Sequence, residues 1–488
     1  MALWLVVGAI AAGVACPCAT SAERPHENAS AVQPTDSPGV RLPRFPPDPT
    51  SERPTPAVRR LPPVERRLPE TENDQFGGSN PAETLHDVWR IAVSVDHQIA
   101  AKRFEISASE SHRESVHREH WPSVSVDVSY MGRSAQPEIL VRPQHEPTLL
   151  GSFPVAQAEG ASLRGWLDFP IYSAGRIGQR VAAAEAQAAA ARLEGNAYTR
   201  SLKLAVAEDF LAVLRAERHL EVAESTVRSL DGHAGDTRRR YEQHQAPLNN
   251  LLAAEVARDN ARQRAMRART SRDAAQATLN RRLGRPLDAA LKLAEPTIAL
   301  ELGSAEELTR RSLRRPELAK LSAEARALEH EAQSLLKANW PQVSLRGEYA
   351  YEENVYRAPE GIAAAGVGVE WGVYDGGQKR AEAAALYQKV ESLRCLRREM
   401  ESAIALQIRR AWLEAEEAAR RIRVAEEAIV HADENLRATR ERYRSGLGTS
   451  SEVLDAESLR SEAHFNWHNA RYDAATATLR LQHAAGDL

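Results

Sequence analysis

Four short stretches of this chain alternate between apolar and polar residues, and they are separated by runs of helical periodicity far longer than a compact domain holds. In VSVDVSY, Val124, Val126, Val128 and Tyr130 fall on one side, and Ser125, Asp127 and Ser129 on the other. In VSLRGEYAY, Val343, Leu345, Tyr349 and Tyr351 oppose Ser344, Arg346 and Glu348. The same period of two runs through Leu163 to Ile171 and Val367 to Val373, with Trp166, Phe169, Trp371, Tyr172 and Tyr374 near the strand ends. Such alternation predicts β-strands with one apolar face. Aromatic residues at the margins fit strands that face lipid on one side and a wet lumen on the other. Strands of a half-buried soluble sheet alternate in the same way.

After Gly175 the helical pattern runs without proline to about Gln243, and after Gly376 it runs to about Ser445. At 1.5 Å per residue each predicts a helix roughly 100 Å long. Helices of that length imply a coiled coil or helical barrel instead of a globular core. Each is followed by a shorter return helix, Pro247 to Leu283 and about Ser450 to Ala484, which covers little more than half of the outgoing length. The remainder is expected from Pro316 to Asn339 stacked beyond the first return, and from Ala82 to His120 beyond the second. Each half of the body is read as opening with a single helix of about 35 residues ending in Trp-Pro, of which these segments are part.

These elements occur twice. Phe169 to Gly175 answers Trp371 to Gly377, Arg240-Tyr241 answers Arg442-Tyr443, and Leu252 to Glu255 answers Leu454 to Glu457, all at an offset of 202. Trp121 to Ser125 answers Trp340 to Ser344 at an offset of 219, so the first copy carries 17 extra residues between the anchors. A steady offset is the signature of an internally duplicated architecture. The body divides into a first repeat, 81–303, and a second, 304–488. The first holds a β-hairpin (about 121–172), a long helix (174–243), a return helix (248–284) and an equatorial segment (285–303). The second holds a hairpin (about 341–374), a long helix (376–445) and a return helix (450–485). Four strands cannot close a membrane barrel, because even small ones need about eight. Three copies would give a 12-stranded barrel continued by 12 helical columns.

Composition narrows the class. Only 5% of the 488 residues are aromatic and the net charge is −3, which gives no basis for nucleic-acid binding. Arg and Glu alternate along the long helices, as solvated, ion-paired faces do. Leu3 to Ala12 is apolar and too short to span a bilayer, as in an export signal within residues 1–22. Val14-Ala15-Cys16 matches the end of a lipoprotein box, with Gly13 where Leu, Val or Ile is expected, so lipidation of Cys16 and cleavage near Ala19 or Ala22 both stand. Thirteen of the 26 prolines lie between Pro17 and Pro69, and residues 23–80 read as a disordered linker. Cys395, inside a helical pattern, reads as a packed small residue. His112, His117 and His120 are the only clustered histidines and lack a metal-site spacing. With no phosphate loop, nucleophile elbow or zinc motif, neither catalysis, a cofactor nor a metal is indicated.

The segment RYRSGLGTSSEVLDAES at 442–458, together with Arg315-Pro316-Glu317-Leu318, Trp340-Pro341 and Tyr374-Asp375-Gly376-Gly377, resembles the outer membrane efflux protein family, the TolC family, over about residues 82–488. The resemblance implies an α+β membrane protein of the bacterial outer membrane: a trimeric 12-stranded β-barrel, four strands per protomer, continued through the periplasm by an α-helical barrel. It implies a homotrimeric efflux channel that contacts outer-membrane lipid and docks onto an inner-membrane pump through a periplasmic adaptor. The family contacts its adaptor at the turn held here by Gly446, Leu447 and Gly448. In the first copy His244 and Pro247 stand at matching positions, so that docking contact is chemically different. The family lines its periplasmic gate with acidic residues, and Glu452 and Asp455 occupy those places. Residue 448 is not the arginine that some members use to latch the gate. Two other readings remain: the exit duct of a type I protein secretion system, and a soluble periplasmic coiled-coil scaffold.

Overall fold

The computed structural model describes residues 82–141, 151–296 and 303–488. The expected export segment with Cys16, the Pro-rich linker and residues 297–302 of the equatorial segment lie outside the described residues. The first repeat opens with helices α1 (Leu85–Val95) and α2 (His97–His117). The expected single helix is broken at Asp96, whose extended backbone lets its carboxylate cap α2 by accepting from the Ile99 N–H at 2.8 Å. Strands β1 (Ser123–Gly132), β2 (Glu138–Val141), β3 (Gly151–Pro154) and β4 (Glu159–Tyr172) follow, then α3 (Arg176–Glu242) and α4 (Leu248–Arg282). The second repeat has α5 (Ala305–Ser312), α6 (Pro316–Lys337), β5 (Gln342–Glu352), β6 (Gly361–Glu370), α7 (Gln378–Arg444) and α8 (Ser450–Ala485). Its opening helix is also split, here by Pro316, which is tolerated only as the first residue of a helix.

The main sheet is antiparallel in the order β1-β4-β5-β6, so β1 and β6 are open edges. β2 and β3 form a separate two-stranded ribbon inside the longer first hairpin. Register fixes the two faces of the main sheet. Val126 pairs with Gly165, Gly165 with Tyr349, and Tyr349 with Ala363, which marks the apolar face. Ser125 pairs with Trp166 and Trp166 with Glu348, so this tryptophan lies on the polar face between Arg164 and Asp168. It is a mid-strand residue, not part of an aromatic margin.

The helices form one layer. α3 packs against α2 and α4 on one side and against α6 and α8 on the other, and α7 packs against α6 and α8. The columns are therefore α2 over α4, then α3, then α6 over α8, then α7, which exchanges the expected partners of the two long helices. The core is a set of thin seams between helices. Alanines such as Ala254, Ala323, Ala415 and Ala484 are fully buried there, because a methyl side chain lets backbones approach closely. One larger cluster gathers Val88, Phe210, Leu211, Leu279, Leu291 and Tyr472 where the equatorial segment crosses α3 and α8. Glu295 of that segment accepts hydrogen bonds from the Tyr472 hydroxyl at 2.8 Å and from Arg218 and Arg471 at 3.1 Å. Cys395 is exposed on α7 instead of packed.

Candidate functional site

The two long hairpins end in the same backbone turn built from different residues. Beyond α7, Gly446 has φ +81°; its N–H donates to the Tyr443 carbonyl at 3.1 Å, and the Leu447 N–H reaches back to the Arg442 carbonyl at 2.8 Å. This Schellman pattern satisfies orphaned helix carbonyls and needs a left-handed residue after the cap. In the first hairpin His244 takes that place at φ +58°, with equivalent bonds from His244 to Tyr241 at 2.9 Å and from Gln245 to Arg240 at 2.7 Å. A side chain there is strained where glycine is not. Leu447 is 76% exposed at the apex. A Cβ on Gly448 would lie 3.2 Å from the Tyr443 nitrogen and 3.3 Å from a Glu452 oxygen, so a side chain there would have to displace its neighbours by a few tenths of an ångström. Pro247 caps the start of α4, and Leu248, Leu252 and Val256 then form an exposed apolar stripe on that helix.

Glu452 and Asp455 occupy the first two turns of α8. Thr449 caps the helix by accepting from the Glu452 N–H at 3.3 Å, and the Glu452 carboxylate sits 3.8 Å from Arg442 across the turn. A carboxylate in the first turn also complements the helix dipole. Glu452 therefore has local structural partners, whereas Asp455 is exposed and has no ion pair among the described residues. In the first hairpin Asn250 stands at the Glu452 position and Ala253 at that of Asp455.

Behind the tip lies a polar joint between the hairpins that motif reading missed. Glu457 is buried; Arg440 reaches it at 3.1 Å, Arg460 at 2.8 Å, and the Ser229 hydroxyl of α3 donates to it. One carboxylate thus ties α3, α7 and α8. Nearer the tip His233 bonds Ser450 at 2.9 Å, the Thr237 and Tyr443 hydroxyls meet at 3.1 Å, and the Arg240 guanidinium lies 4.6 Å from the centre of the Tyr443 ring. Burial, reinforced by Arg440 and Arg240 and opposed by Asp236, pushes the His233 pKa down to about 4. The signal was present in the repeat, since Arg238 and Glu255, the first-copy counterparts of Arg440 and Glu457, also pair.

No helix among the described residues is long and apolar enough to cross a membrane, and no group of side chains there has the makings of a metal site. The sequence model of the family described as "Outer membrane efflux protein" matches residues 90–285 and 310–487. The chain belongs to that family.

Family membership accounts for the sheet and helices together. This is the α+β fold of a trimeric outer-membrane channel, in which each protomer gives four strands to the barrel and its long helices to the periplasmic tunnel. The chain is similar to the outer membrane protein VceC from Vibrio cholerae, with 15% identity, a TM-score of 0.68 and coverage of 82% of this chain and 96% of that one. It is also similar to the CmeC outer membrane channel of Campylobacter jejuni, with 12% identity, a TM-score of 0.68 and coverage of 83% and 85%. Among curated relatives, the alkaline protease secretion protein AprF of Pseudomonas aeruginosa is 24% identical over 299 residues, 59% of this chain. That match spans 62% of the relative, less than two thirds of its length.

Proposed function

We propose that the chain is one protomer of a homotrimeric exit duct of a tripartite efflux system, a passive channel fed by an inner-membrane pump through a periplasmic adaptor. The observation that carries this reading is the pair of open edges. β1 and β6 end the sheet, and α4 and α7 end the lower helical layer. Unpaired strand edges within lipid are untenable, because each free N–H and C=O costs several kcal/mol there. Closure by three copies satisfies both layers at once. On this reading Glu452 and Asp455, three residues apart on α8, are gathered by threefold symmetry into a ring of six carboxylates at the periplasmic end. Leu447, presented by Gly446 and Gly448, is the adaptor contact of the second hairpin. At the first tip the contact is the Leu248, Leu252 and Val256 stripe beside His244 and Pro247.

Single-channel recording of the detergent-extracted protein tests the reading. The wild type should form cation-selective pores, and Glu452→Gln with Asp455→Asn should raise conductance or weaken selectivity. Pores indifferent to both substitutions would remove the gate assignment, and a water-soluble protein that forms none would overturn the channel. The match to AprF supports a second reading, an exit duct for secreted protein. Complementation separates the two: a strain lacking its efflux duct should regain resistance to toxic small molecules, or one lacking its secretion duct should regain an extracellular protease.

A further inference from the structure

The duplication that shapes each half of the chain also specifies, residue by residue, how one copy meets the next. Within the chain, the α7–α8 tip is closed by α3 as a third wall, through Ser225, Ser229 and His233. The hairpin-internal part of this joint recurs at the matching positions of the first repeat. Arg238 pairs with Glu255 as Arg440 does with Glu457, and Arg262 meets Asp231 at 2.8 Å as His464 meets Asp433 at 3.1 Å. Among the described residues no helix stands as a third wall for this first tip.

Carrying the wall residues of α3 forward by the repeat offset leads to α7, where Ser225 becomes Glu427, Thr226 becomes Ala428, Ser229 becomes His431 and His233 becomes Asn435. On α3 the wall is covered, with Thr226 and His233 buried. On α7 all four counterparts are exposed, and Glu427 and His431 have no ion pair among the described residues. The first tip is uncovered in the same measure, since Tyr241 is 38% exposed and its counterpart Tyr443 only 7%. The two bare surfaces lie on opposite edges of the helical layer, so a single chain cannot bring them together.

We propose that α7 of one copy forms the third wall of the α3–α4 tip of the next, with two paired contacts. This rests on the trimeric reading above. Arg258 pairs with Glu427 of the partner subunit, where within the chain the contact of Arg460 on the α3 wall is the Ser225 hydroxyl, at 3.4 Å. Glu255 accepts from His431 of the partner subunit, where Glu457 accepts from Ser229. The substitutions are complementary: opposite Arg258 a hydroxyl gives way to a carboxylate, and opposite Glu255 another gives way to an imidazole. Nearer the apex the hydrogen bond of His233 to Ser450 has no equivalent, because Leu248 stands in place of Ser450. The ring therefore alternates between three joints sealed inside protomers and three charge-matched seams between them.

Paired cysteines in the full-length protein carrying Cys18→Ser and Cys395→Ser test the seam, since Cys16 is either lipidated or removed with the export segment. Glu255→Cys with His431→Cys, and Arg258→Cys with Glu427→Cys, should give covalent trimers on oxidation, while each single cysteine should not. Thr226→Cys with Ser461→Cys, whose hydroxyl oxygens lie 3.3 Å apart within the chain, is the intramolecular control. A trimer by native mass that closes the control pair but neither seam pair would overturn the seam and leave the trimer standing. A monomer by native mass would overturn both. As a second readout, Arg258→Glu should lower the cross-link yield of the Glu255/His431 pair about two- to fivefold, and adding Glu427→Arg should restore it; failure to restore would overturn the ion pair.

Discussion

At the residue scale, the buried carboxylate of Glu457 is the most consequential side chain behind the tip. Its two arginines and Ser229 satisfy it, and deleting its charge leaves Arg440 and Arg460 facing each other in a narrow space. Glu457→Gln should therefore lower unfolding stability by about 2 to 3 kcal/mol, less than a fully buried pair loses because Arg440 keeps some solvent. The more exposed Glu255 is the built-in comparison, and Glu255→Gln should cost under about 1 kcal/mol in the isolated protomer. Denaturant titration followed by helix content measures both, and equal losses would contradict the assignment. His233 makes a separate prediction. Its pKa, pushed down to about 4, lies below the 6.5 of an unperturbed histidine, so the unfolded chain takes up a proton that the folded one refuses. Stability should fall as pH drops from about 6.5 to 4 and change little further from this group below that. His468, pushed down to about 4 by burial and then by Arg218, behaves alike. Replacing His233 by Gln should flatten the slope in part, as read from midpoints at pH 7, 6 and 5, because burial pushes His468, His219 and His483 down as well.

At the element scale, the strands separate lipid from water by register alone. Val126 faces outward opposite Gly165, and Ser125 faces inward opposite Trp166. Val126→Arg should cost about 2 to 4 kcal/mol of barrel stability if the residue sits near the bilayer midplane, and Ser125→Arg next to nothing. Resistance of the folded barrel to heating in detergent reads the difference, and similar behaviour of the two variants would mean that the faces are reversed. The alternation that sets these faces was legible in the sequence, as were the two long helices, because no proline or glycine cap interrupts their period. Trp166 was misread since an aromatic residue inside a strand has the same period whether it lies at the end or the middle. Asp96 was missed because an acid in a helical pattern gives no warning that it caps its own break. Which short helix stacks on which could not be read from lengths, since α2 and α6 fit either column; it is settled by which side of α3 each one covers.

At the scale of the whole molecule, duplication made the architecture readable and concealed part of the site. The constant offset between the copies revealed two hairpins, and resemblance to a family motif pointed to Glu452, Asp455 and the Gly446 turn. The joint around Glu457 stayed hidden, because it draws on Ser229 and His233 of the first repeat, too far back along the chain for any local motif to include them. The exposed stripe of Leu248, Leu252 and Val256 gives a further expectation: charged residues at Leu252 and Val256, away from the seam, should abolish cross-linking of adaptor to the first tip while leaving pore conductance unchanged. Loss of the pores themselves would instead assign the stripe to the channel wall. The equatorial belt has a mechanical consequence. α3 and α7 run unbroken past it, while their neighbours α4 and α8 stop and α2 and α6 take over, and Glu295 fastens the belt to α3 at Arg218 and to α8 at Tyr472, a few turns nearer the tip. The long helices can act as levers on a pivot: from Arg218 to the end of α3 the arm extends roughly 36 Å, so a turn of about 5° at the fulcrum would sweep the tip through roughly 3 Å, about the width of a water molecule, without breaking a single helical hydrogen bond.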